Sequence, residues 1–224
     1  MTMLRWLRFI EDLLFPPSEY CPLCGEHGLR DLECCAHCFA ALNPDWLLKD
    51  LGGRTTASLF AYREYGRQIV QQMKFHGGYR TAVAIGALLG RALKETPEFA
   101  DVDFLVPVPL HPERMRQRGY NQTEALVHGI RTHWKKPVLA NVSRVQNTPA
   151  QSRLTLPERQ ANLRRAFALV TETSLAGKTC LVVDDVVTTG STFAAMCQVL
   201  EAAGADCRGV FCARALLESS EKKD

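Results

Sequence analysis

The sequence contains no apolar stretch long enough to cross a bilayer, no internal repeat and no low-complexity tract. A membrane-spanning helix needs ~20 predominantly apolar residues, and because no segment approaches that length, no transmembrane span is predicted. The chain also lacks a strong excess of charge. Its 27 basic and 24 acidic side chains give a net charge of +3, which argues against a protein that binds nucleic acid over its whole surface. With 46% apolar and 23% charged residues among 224, the composition is typical of a globular protein and excludes disordered, collagen-like and coiled-coil chains.

A secretory signal is missing as well. Residues 1–17 begin with basic and apolar side chains, but Glu11 and Asp12 interrupt the run and no small-residue cleavage site follows. The segment instead predicts a short amphipathic helix, ended by Pro16 and Pro17, that docks on the protein's own surface or touches a membrane surface. Nine cysteines, an odd number, are not typical of a secreted disulfide scaffold. We therefore expect a cytoplasmic protein, peripheral to the inner face of the cytoplasmic membrane if this helix binds lipid.

Two Cys-x-x-Cys pairs lie near the amino terminus, with ten residues between them. Each pair can direct two thiolates at one ion, and two pairs complete the tetrahedral four-sulfur shell that structural zinc prefers. Cys34 could replace its neighbour, and His27 or His37 could replace a thiolate, but the spacing favours the paired cysteines. Four thiolates leave no open coordination position, so this zinc is expected to hold the fold and not to catalyse. The predicted ligands are Cys21, Cys24, Cys35 and Cys38.

A stretch with proline and glycine over residues 43–54 predicts a joint between two parts of the chain. We place the boundary near Gly53, with an N-terminal helix and zinc ribbon over 1–52 and a larger domain over 53–224. In the larger domain, runs typical of strands alternate with segments typical of helices, which predicts an α/β fold with a mostly parallel sheet and flanking helices. Gly86-x-x-x-Gly90 is expected to serve close helix packing. Strands are expected over about 55–62, 103–109, 138–145, 179–185 and 207–214, and helices over about 65–75, 79–94, 122–134, 157–167 and 191–203.

The most informative segment runs from Leu181 to Thr192. An apolar strand ends in two carboxylates, a hydroxyl-rich loop with one glycine follows, and a helix begins at once. Backbone N–H groups and hydroxyls at a helix start suit a phosphate monoester, whereas the carboxylates suit sugar hydroxyls or a metal ion. The pattern predicts a sugar-phosphate site and lacks the signatures of P-loop and dinucleotide-binding folds. The candidate residues are Asp184, Asp185, Thr188, Thr189, Gly190, Ser191 and Thr192, with the two aspartates as the candidate catalytic pair.

The Asp-Asp-Val-Val-Thr-Thr-Gly-Ser-Thr segment resembles the signature of type I phosphoribosyltransferases. Over about residues 14–214, the chain is similar to the ComF family of competence and DNA-utilisation proteins, which join a four-cysteine zinc ribbon to a phosphoribosyltransferase-like domain. The resemblance rests on the cysteine pairs, residues 73–77, residues 106–122 and the phosphate loop, and the family commonly has Phe where this chain has Tyr120. It implies phosphoribosyl pyrophosphate bound with Mg²⁺ at the aspartates and the loop. It also implies a role in natural transformation or DNA utilisation, with a DNA-uptake helicase or translocation machinery as partner.

Charge is unevenly spread along the chain. Between His111 and Arg165, eleven basic and three acidic side chains give a net charge of +8, which leaves −5 for the remainder. Residues 109–121 are expected to form a loop at the edge of the sheet where ligands bind. The resemblance implies that this loop faces pyrophosphate and that residues 148–162 form a second, flexible loop that closes over the site. The candidate pyrophosphate contacts are Lys74, Arg114, Arg116 and Arg118.

Two functions are compatible with these patterns. The basic window, with the rings of Tyr120 and Trp134, suits single-stranded DNA. The sugar-phosphate site suits an active phosphoribosyltransferase that acts on an unidentified base or amine acceptor. His76 and His111 are weaker acid–base candidates. The cysteines of the carboxyl-terminal half are expected to be small core residues, namely Cys180, Cys197, Cys207 and Cys212.

Overall fold

The structure is a computed structural model, and it describes residues 20–26, 33–75, 78–145 and 166–215. The expected amino-terminal helix, His27, His76 and the expected closing loop over 148–162 lie outside these residues.

Strands and helices alternate within the described ranges, as the apolar patterning predicts. The strands are β1 (Leu47–Asp50), β2 (Thr55–Ala61), β3 (Phe104–Pro107), β4 (Val142–Arg144), β5 (Phe167–Leu169), β6 (Thr179–Val187) and β7 (Asp206–Arg214). The helices are α1 (Ala36–Leu42), α2 (Glu64–Gln72), α3 (Tyr79–Glu95), α4 (Pro112–Arg118), α5 (Gln122–His133) and α6 (Ser191–Ala202), with a 3-10 turn at Pro97–Phe99. None of the helices in these ranges has the length and apolar character that crossing a membrane requires.

Five strands form one sheet in the order β1-β2-β7-β6-β3, and β4 pairs antiparallel with β5 in a separate small sheet. β2, β7, β6 and β3 are parallel, whereas β1 pairs antiparallel with β2 at one edge. The predicted α/β fold with a mostly parallel sheet is therefore confirmed. Parallel strands place their carboxyl ends at one edge of the sheet, which is where folds of this class bind ligands.

Apolar layers cover both faces of the sheet. On one face, Leu181 and Val183 of β6 belong to a core that includes side chains of α2, α3 and α5. On the other face, Val182 packs in a second core with Phe193 and Met196 of α6. Consecutive side chains of a strand point to opposite faces, so burial of both faces explains why β6 is a continuous apolar run in the sequence.

Helices α3 and α5 approach each other so closely that glycine is required at their contact. A Cβ atom at Gly86 would overlap the carbonyl oxygen of Leu126, and one at Gly129 would overlap the carbonyl oxygen of Val83. A Cβ atom at Gly90 would likewise meet the backbone of α5. The Gly-x-x-x-Gly spacing therefore serves close helix packing, as expected.

Replacing Gly86 with alanine should destabilise the protein by about 1–3 kcal/mol, because the added methyl group forces the two helices apart or strains them. The direction of the change in the free energy of unfolding is informative, because glycine-to-alanine replacement at an exposed helical position would stabilise the protein by ~1 kcal/mol through helix propensity. Urea denaturation followed by circular dichroism measures the difference. An unchanged or higher free energy of unfolding would show that the helices do not meet at this distance.

The segment expected to be a loop over 109–121 contains a helix instead. Pro112 occupies the first turn of α4, and Nδ1 of His111 accepts a hydrogen bond from the backbone N–H of Glu113 (3.3 Å) as an N-cap. Gly119, with φ 79°, ends the helix through its N–H to the carbonyl oxygen of Met115. These capping residues favour a short helix, so the expectation of a loop over 109–121 is wrong for Pro112–Arg118.

The residues just before Gly53 contribute to the main sheet. β1 lies on the amino-terminal side of the expected domain boundary and supplies the edge strand next to β2, with Leu47 opposite Ser58. The division into 1–52 and 53–224 stays a prediction.

Candidate functional site

A cavity of about 310 Å³ opens where β3 and β6 end. Its walls come from the end of β6, the residues after β3, α4, the start of α5 and the segment after α2. Most of the lining side chains are charged or carry a hydroxyl or amide group. Those already predicted as site residues are Lys74, Arg114, Arg118, Asp184, Asp185, Thr188 and Thr192.

Asp185 lies in a chain of polar contacts that crosses the cavity. The residue is 7% exposed, and its Oδ2 accepts a hydrogen bond from Nε2 of Gln122 (3.1 Å) and lies 3.1 Å from Nζ of Lys74. Oε1 of Gln122 in turn accepts a hydrogen bond from Nη1 of Arg118 (2.9 Å). Gln122 therefore positions the carboxylate relative to the arginine, a role that the sequence analysis did not assign to it.

Asp184 precedes Asp185 at the end of the same strand. Its Oδ1 accepts a hydrogen bond from the backbone N–H of Asp185 (2.8 Å). Burial and the neighbouring Asp185 charge raise the pKa of Asp184 to about 8, and the positive charges of Lys74 and Arg144 offset part of that shift. The raised pKa favours the protonated form of Asp184, and a bound cation would displace that proton.

The start of α6 borders the same cavity. Gly190 is the N-cap residue, with φ 77°, and the helix has no side-chain cap. Thr188 and Thr192 line the cavity, whereas the hydroxyl groups of Thr189 and Ser191 are hydrogen-bonded to each other (2.8 Å) outside the lining. The backbone N–H groups of the first turn are thus not used by a capping side chain, which suits an anion.

The three arginines of α4 do not face the same way, because the segment is helical. Arg114 and Arg118, four residues apart, line the cavity. Arg116 is exposed and is not among the lining residues. Burial lowers the pKa of Arg118, and the nearby charge of Asp185 partly offsets this effect. The structure brings two of the three predicted arginines to the site.

Arg144 of β4 also lines the cavity. Its guanidinium carbon lies 5.5 Å from the centroid of the Phe167 ring, and burial lowers its pKa. The sequence analysis counted Arg144 only as part of the basic window. No local pattern marks it, because its approach to the cavity depends on the pairing of β4 with β5.

The two aromatic rings of the basic window pack against the protein. The hydroxyl of Tyr120 donates a hydrogen bond to the carbonyl oxygen of Met73, and its ring lies edge-on to Tyr79, with 5.7 Å between ring centroids. Trp134 packs against the core, and Nζ of Lys136 lies 5.1 Å from the centroid of its ring. Both rings therefore have protein partners, and their stacking on bases stays a prediction.

A candidate metal centre lies at the amino-terminal end of the described chain. The four predicted Sγ atoms all lie within 4.8 Å of one another, a donor set that fits tetrahedral zinc. Cys34 is buried but does not belong to this group, as the spacing predicts. The group comprises Cys21, Cys24, Cys35 and Cys38.

Hydrogen-bond donors point at these sulfur atoms. The backbone N–H of Cys35 donates to Sγ of Cys21 (3.3 Å), and that of Cys38 donates to Sγ of Cys35 (3.4 Å). The hydroxyl of Tyr65 donates to Sγ of Cys38 (3.0 Å). Such donors orient metal ligands and stabilise thiolate charge. Because Tyr65 belongs to α2, it also ties the metal centre to the larger part of the fold.

Two further contacts join the cysteine-rich segment to the helices. The hydroxyl of Thr81 donates to the carbonyl oxygen of Pro22 (2.7 Å). Oε1 of Glu33 lies 2.8 Å from Nη2 of Arg91 and 2.8 Å from Nε2 of His133. The segment therefore docks on α3 and α5.

Comparison with known proteins identifies a matching domain family, two sequence relatives and a similar solved structure. A phosphoribosyl transferase domain model matches residues 131–223. Competence protein F of Haemophilus influenzae is 30% identical over 192 residues, which cover 84% of this chain and 80% of that protein. The DNA utilization protein YhgH of Salmonella typhimurium is 31% identical over 197 residues, covering 86% and 82% of the two chains. A hypoxanthine phosphoribosyltransferase structure from Staphylococcus aureus aligns with a TM-score of 0.36 at 11% identity, over 62% of this chain and 74% of that one.

Proposed function

The chain belongs to the ComF family, with competence protein F and the YhgH DNA utilization proteins, and from that premise we propose that it serves DNA uptake or utilisation by binding phosphoribosyl pyrophosphate with Mg²⁺. One observation carries the proposal. A single cavity at the carboxyl ends of parallel strands combines an aspartate pair, basic side chains from three segments and the uncapped start of α6. Sugar hydroxyls, pyrophosphate and a phosphate monoester need these three kinds of partner.

The 5-phosphate is assigned to the start of α6. Backbone N–H groups of its first turn and the hydroxyls of Thr188 and Thr192 supply the donors, and the positive end of the helix dipole favours the negative charge. Thr189, Gly190 and Ser191 form the turn that presents these groups.

The aspartates are assigned to the ribose hydroxyls and the cation. Carboxylate oxygens are the ligands that Mg²⁺ prefers, and Asp184 and Asp185 lie side by side at the end of β6. When bound, Mg²⁺ would neutralise charge on the pyrophosphate and so favour its departure. Gln122 and Lys74 hold Asp185 in place for this contact.

The pyrophosphate is assigned to Lys74, Arg114 and Arg118. Guanidinium groups bind phosphate oxygens in pairs, and the two arginines project from one face of α4. Arg116 lies outside the cavity and is assigned no part in this contact.

Transfer of the ribosyl group to a base or amine acceptor is the alternative activity of the same site. The aspartate pair and the basic side chains would serve it equally, because both roles begin with bound phosphoribosyl pyrophosphate. Release of pyrophosphate that depends on an added acceptor separates an active transferase from a protein that only binds the ligand.

The proposal also covers the metal, the division into domains, the location and the partner of the protein. We assign structural zinc to the four-cysteine group, a zinc ribbon to 1–52 and the phosphoribosyl pyrophosphate site to 53–224. Cysteine usage supports a cytoplasmic location. A DNA-uptake helicase or translocation machinery is the proposed protein partner, because the relatives carry competence names.

Single-stranded DNA is the second proposed ligand. Exposed cations on α4 and near the end of α5 lie apart from the cavity, and their charge suits a phosphate backbone. The residues concerned are Arg116, Arg131 and Lys135.

Two sets of arginine and lysine substitutions should affect the two ligands separately. Replacing Arg114 and Arg118 together with glutamine should weaken phosphoribosyl pyrophosphate binding about 100-fold or more, because each lost charge-assisted bond contributes about 1.5–3 kcal/mol. Replacing Arg116 alone should change it by less than about twofold, since this side chain does not reach the cavity. Isothermal titration calorimetry with Mg²⁺ present measures both.

The matched variant for DNA replaces Arg116, Arg131 and Lys135 with glutamine. It should bind a single-stranded oligonucleotide more weakly and with a smaller salt dependence, while its phosphoribosyl pyrophosphate affinity stays near the wild-type value. Fluorescence anisotropy over a salt series is the measurement. DNA binding that is absent, or that does not change with salt, would refute the second ligand.

A further inference from the structure

Two cysteines that the sequence predicts to be simple core residues lie beside a carboxylate. Cys197 and Glu201 are four residues apart on α6, and Cys207 is the second residue of β7, so the three side chains meet where α6 returns to the sheet. Their two Sγ atoms and a carboxylate oxygen all lie within 4.8 Å of one another. Two thiols and a carboxylate at these distances can supply three ligands to one metal ion.

The surroundings of these three side chains hold the carboxylate in place and leave it partly open to solvent. Cys197 is fully buried and Cys207 is 7% exposed, whereas 35% of the Glu201 side chain is exposed. The carboxylate therefore lies between the solvent and the two buried sulfur atoms. Nε and Nη2 of Arg54 bind its two oxygens at 2.6 and 2.7 Å, which fixes its orientation.

We propose that Cys197, Cys207 and Glu201 bind a thiophilic divalent cation of the Zn²⁺ class, separate from the four-cysteine group. Binding forms two metal–sulfur bonds and one metal–oxygen bond, and the two thiol protons pass to water. Three protein ligands leave the fourth tetrahedral position for a water molecule.

The charge balance favours such a cation. Without it, the Glu201 carboxylate and the Arg54 guanidinium cancel, and the two thiols are neutral. With it, two thiolates cancel the two positive charges of the ion. The group is therefore neutral in both states, which limits the cost of placing an ion at a largely buried position.

The site is independent of the proposed function. Cys207 lies at the amino end of β7 and Arg54 directly precedes β2, so the group occupies the edge of the sheet opposite the phosphoribosyl pyrophosphate cavity. A cation there would join α6 to β7 without contacting the cavity. Loss of this site is therefore expected to leave phosphoribosyl pyrophosphate binding unchanged.

Cadmium titration of the purified full-length protein tests the proposal, because Cd²⁺ bound to thiolate absorbs in the ultraviolet. The Cys197→Ala/Cys207→Ala protein should bind one equivalent fewer than the wild type and release two fewer protons in unbuffered solution. Cys212→Ala is the matched control, since Cys212 is equally buried but belongs to the core on the other face, and it should titrate like the wild type. Exchange of Cd²⁺ into the four-cysteine group is common to all three proteins and cancels in the difference.

Glu201→Gln provides a second test that keeps both cysteines. It should retain the extra equivalent but bind it at least about tenfold more weakly, because one of the three ligands has lost its charge. Equal stoichiometry in the wild type and the Cys197→Ala/Cys207→Ala protein would overturn the proposal. So would loss of two thiols to hydrogen peroxide in a protein that takes up no additional cadmium, which would identify the pair as a dithiol that forms a disulfide.

Discussion

Replacing Asp185 with asparagine is expected to weaken the binding of phosphoribosyl pyrophosphate with Mg²⁺ by about 10- to 100-fold. A hydrogen bond to a charged group contributes about 1.5–3 kcal/mol, and each 1.4 kcal/mol corresponds to a factor of about ten. Asparagine keeps the shape of the side chain and can still accept the hydrogen bond from Gln122, so the loss reports on charge and not on a collapsed site. Calorimetric titration is the measurement, and wild-type affinity in this variant would contradict the assignment of Asp185.

The companion variant, Asp184→Asn, should change how binding depends on pH. Because the pKa of Asp184 is raised to about 8, the wild-type carboxyl is protonated near neutral pH and must lose its proton to contact the cation. Wild-type affinity should therefore rise between about pH 6 and about pH 9. Asp184→Asn should bind weakly with little dependence on pH over the same range.

The same variant should weaken ligand binding but make the ligand-free protein more stable at high pH. The pKa of Asp184 is higher in the folded protein than in the unfolded chain, where it is about 3.9, so the folded state binds the proton more tightly. Its contribution to stability is fully present below the unfolded pKa and is lost as pH rises through the folded pKa. Above about pH 8, Asp184→Asn without ligand should melt at a higher temperature than the wild type, a pattern that a generally damaged protein would not show.

Loss of the four-cysteine centre is expected to have the second large effect. Replacing Cys35 and Cys38 with alanine should abolish zinc binding and destabilise the protein by about 4 kcal/mol or more, a magnitude reached when a structural metal is lost. The contacts of Tyr65 with Cys38 and of Thr81 with Pro22 depend on the position of this segment, so the effect should extend to α2 and α3. Metal analysis and hydrogen exchange of these helices measure it.

The control for this prediction is the neighbouring cysteine. Cys34 is buried beside the centre but outside the ligand group, so Cys34→Ala should keep its zinc and lose only packing. Full zinc content in the Cys35→Ala/Cys38→Ala protein would show that other residues hold the ion. Loss of zinc without any change in hydrogen exchange would show that the ion does not support the fold.

Patterns within one segment were sufficient for much of the fold and part of the site. The continuous apolar run predicts β6, and the two equal cysteine spacings predict one four-cysteine group. The pattern that predicts Asp184, Asp185, Thr188 and Thr192 is equally local, since a strand end, a loop and a helix start follow one another directly along the chain, and all four line the cavity.

Local patterns do not predict a side chain's partners when these come from distant segments. The hydroxyl of Tyr120 donates to the carbonyl oxygen of Met73 and its ring lies edge-on to Tyr79, two contacts with segments more than forty residues away. The role of Gln122 gives no sequence signal, because one of its partners, Asp185, becomes its neighbour only when α5 packs beside β6, although the other, Arg118, lies four residues away in the chain. The sequence does not mark a glutamine that bridges two charged side chains, because glutamine is equally common on exposed helix surfaces where it bridges nothing.

The sequence by itself determined the order of the elements, the mostly parallel sheet and the types of chemistry available, because helix and strand periods and ligand spacings are local properties. Only the tertiary structure decided which side chains act together. It separated Arg114 and Arg118 from Arg116, because a helix turns residues two positions apart to different faces. It also brought Cys207 to Cys197 and Glu201, because the return of the chain after α6 depends on packing between the helix and the sheet.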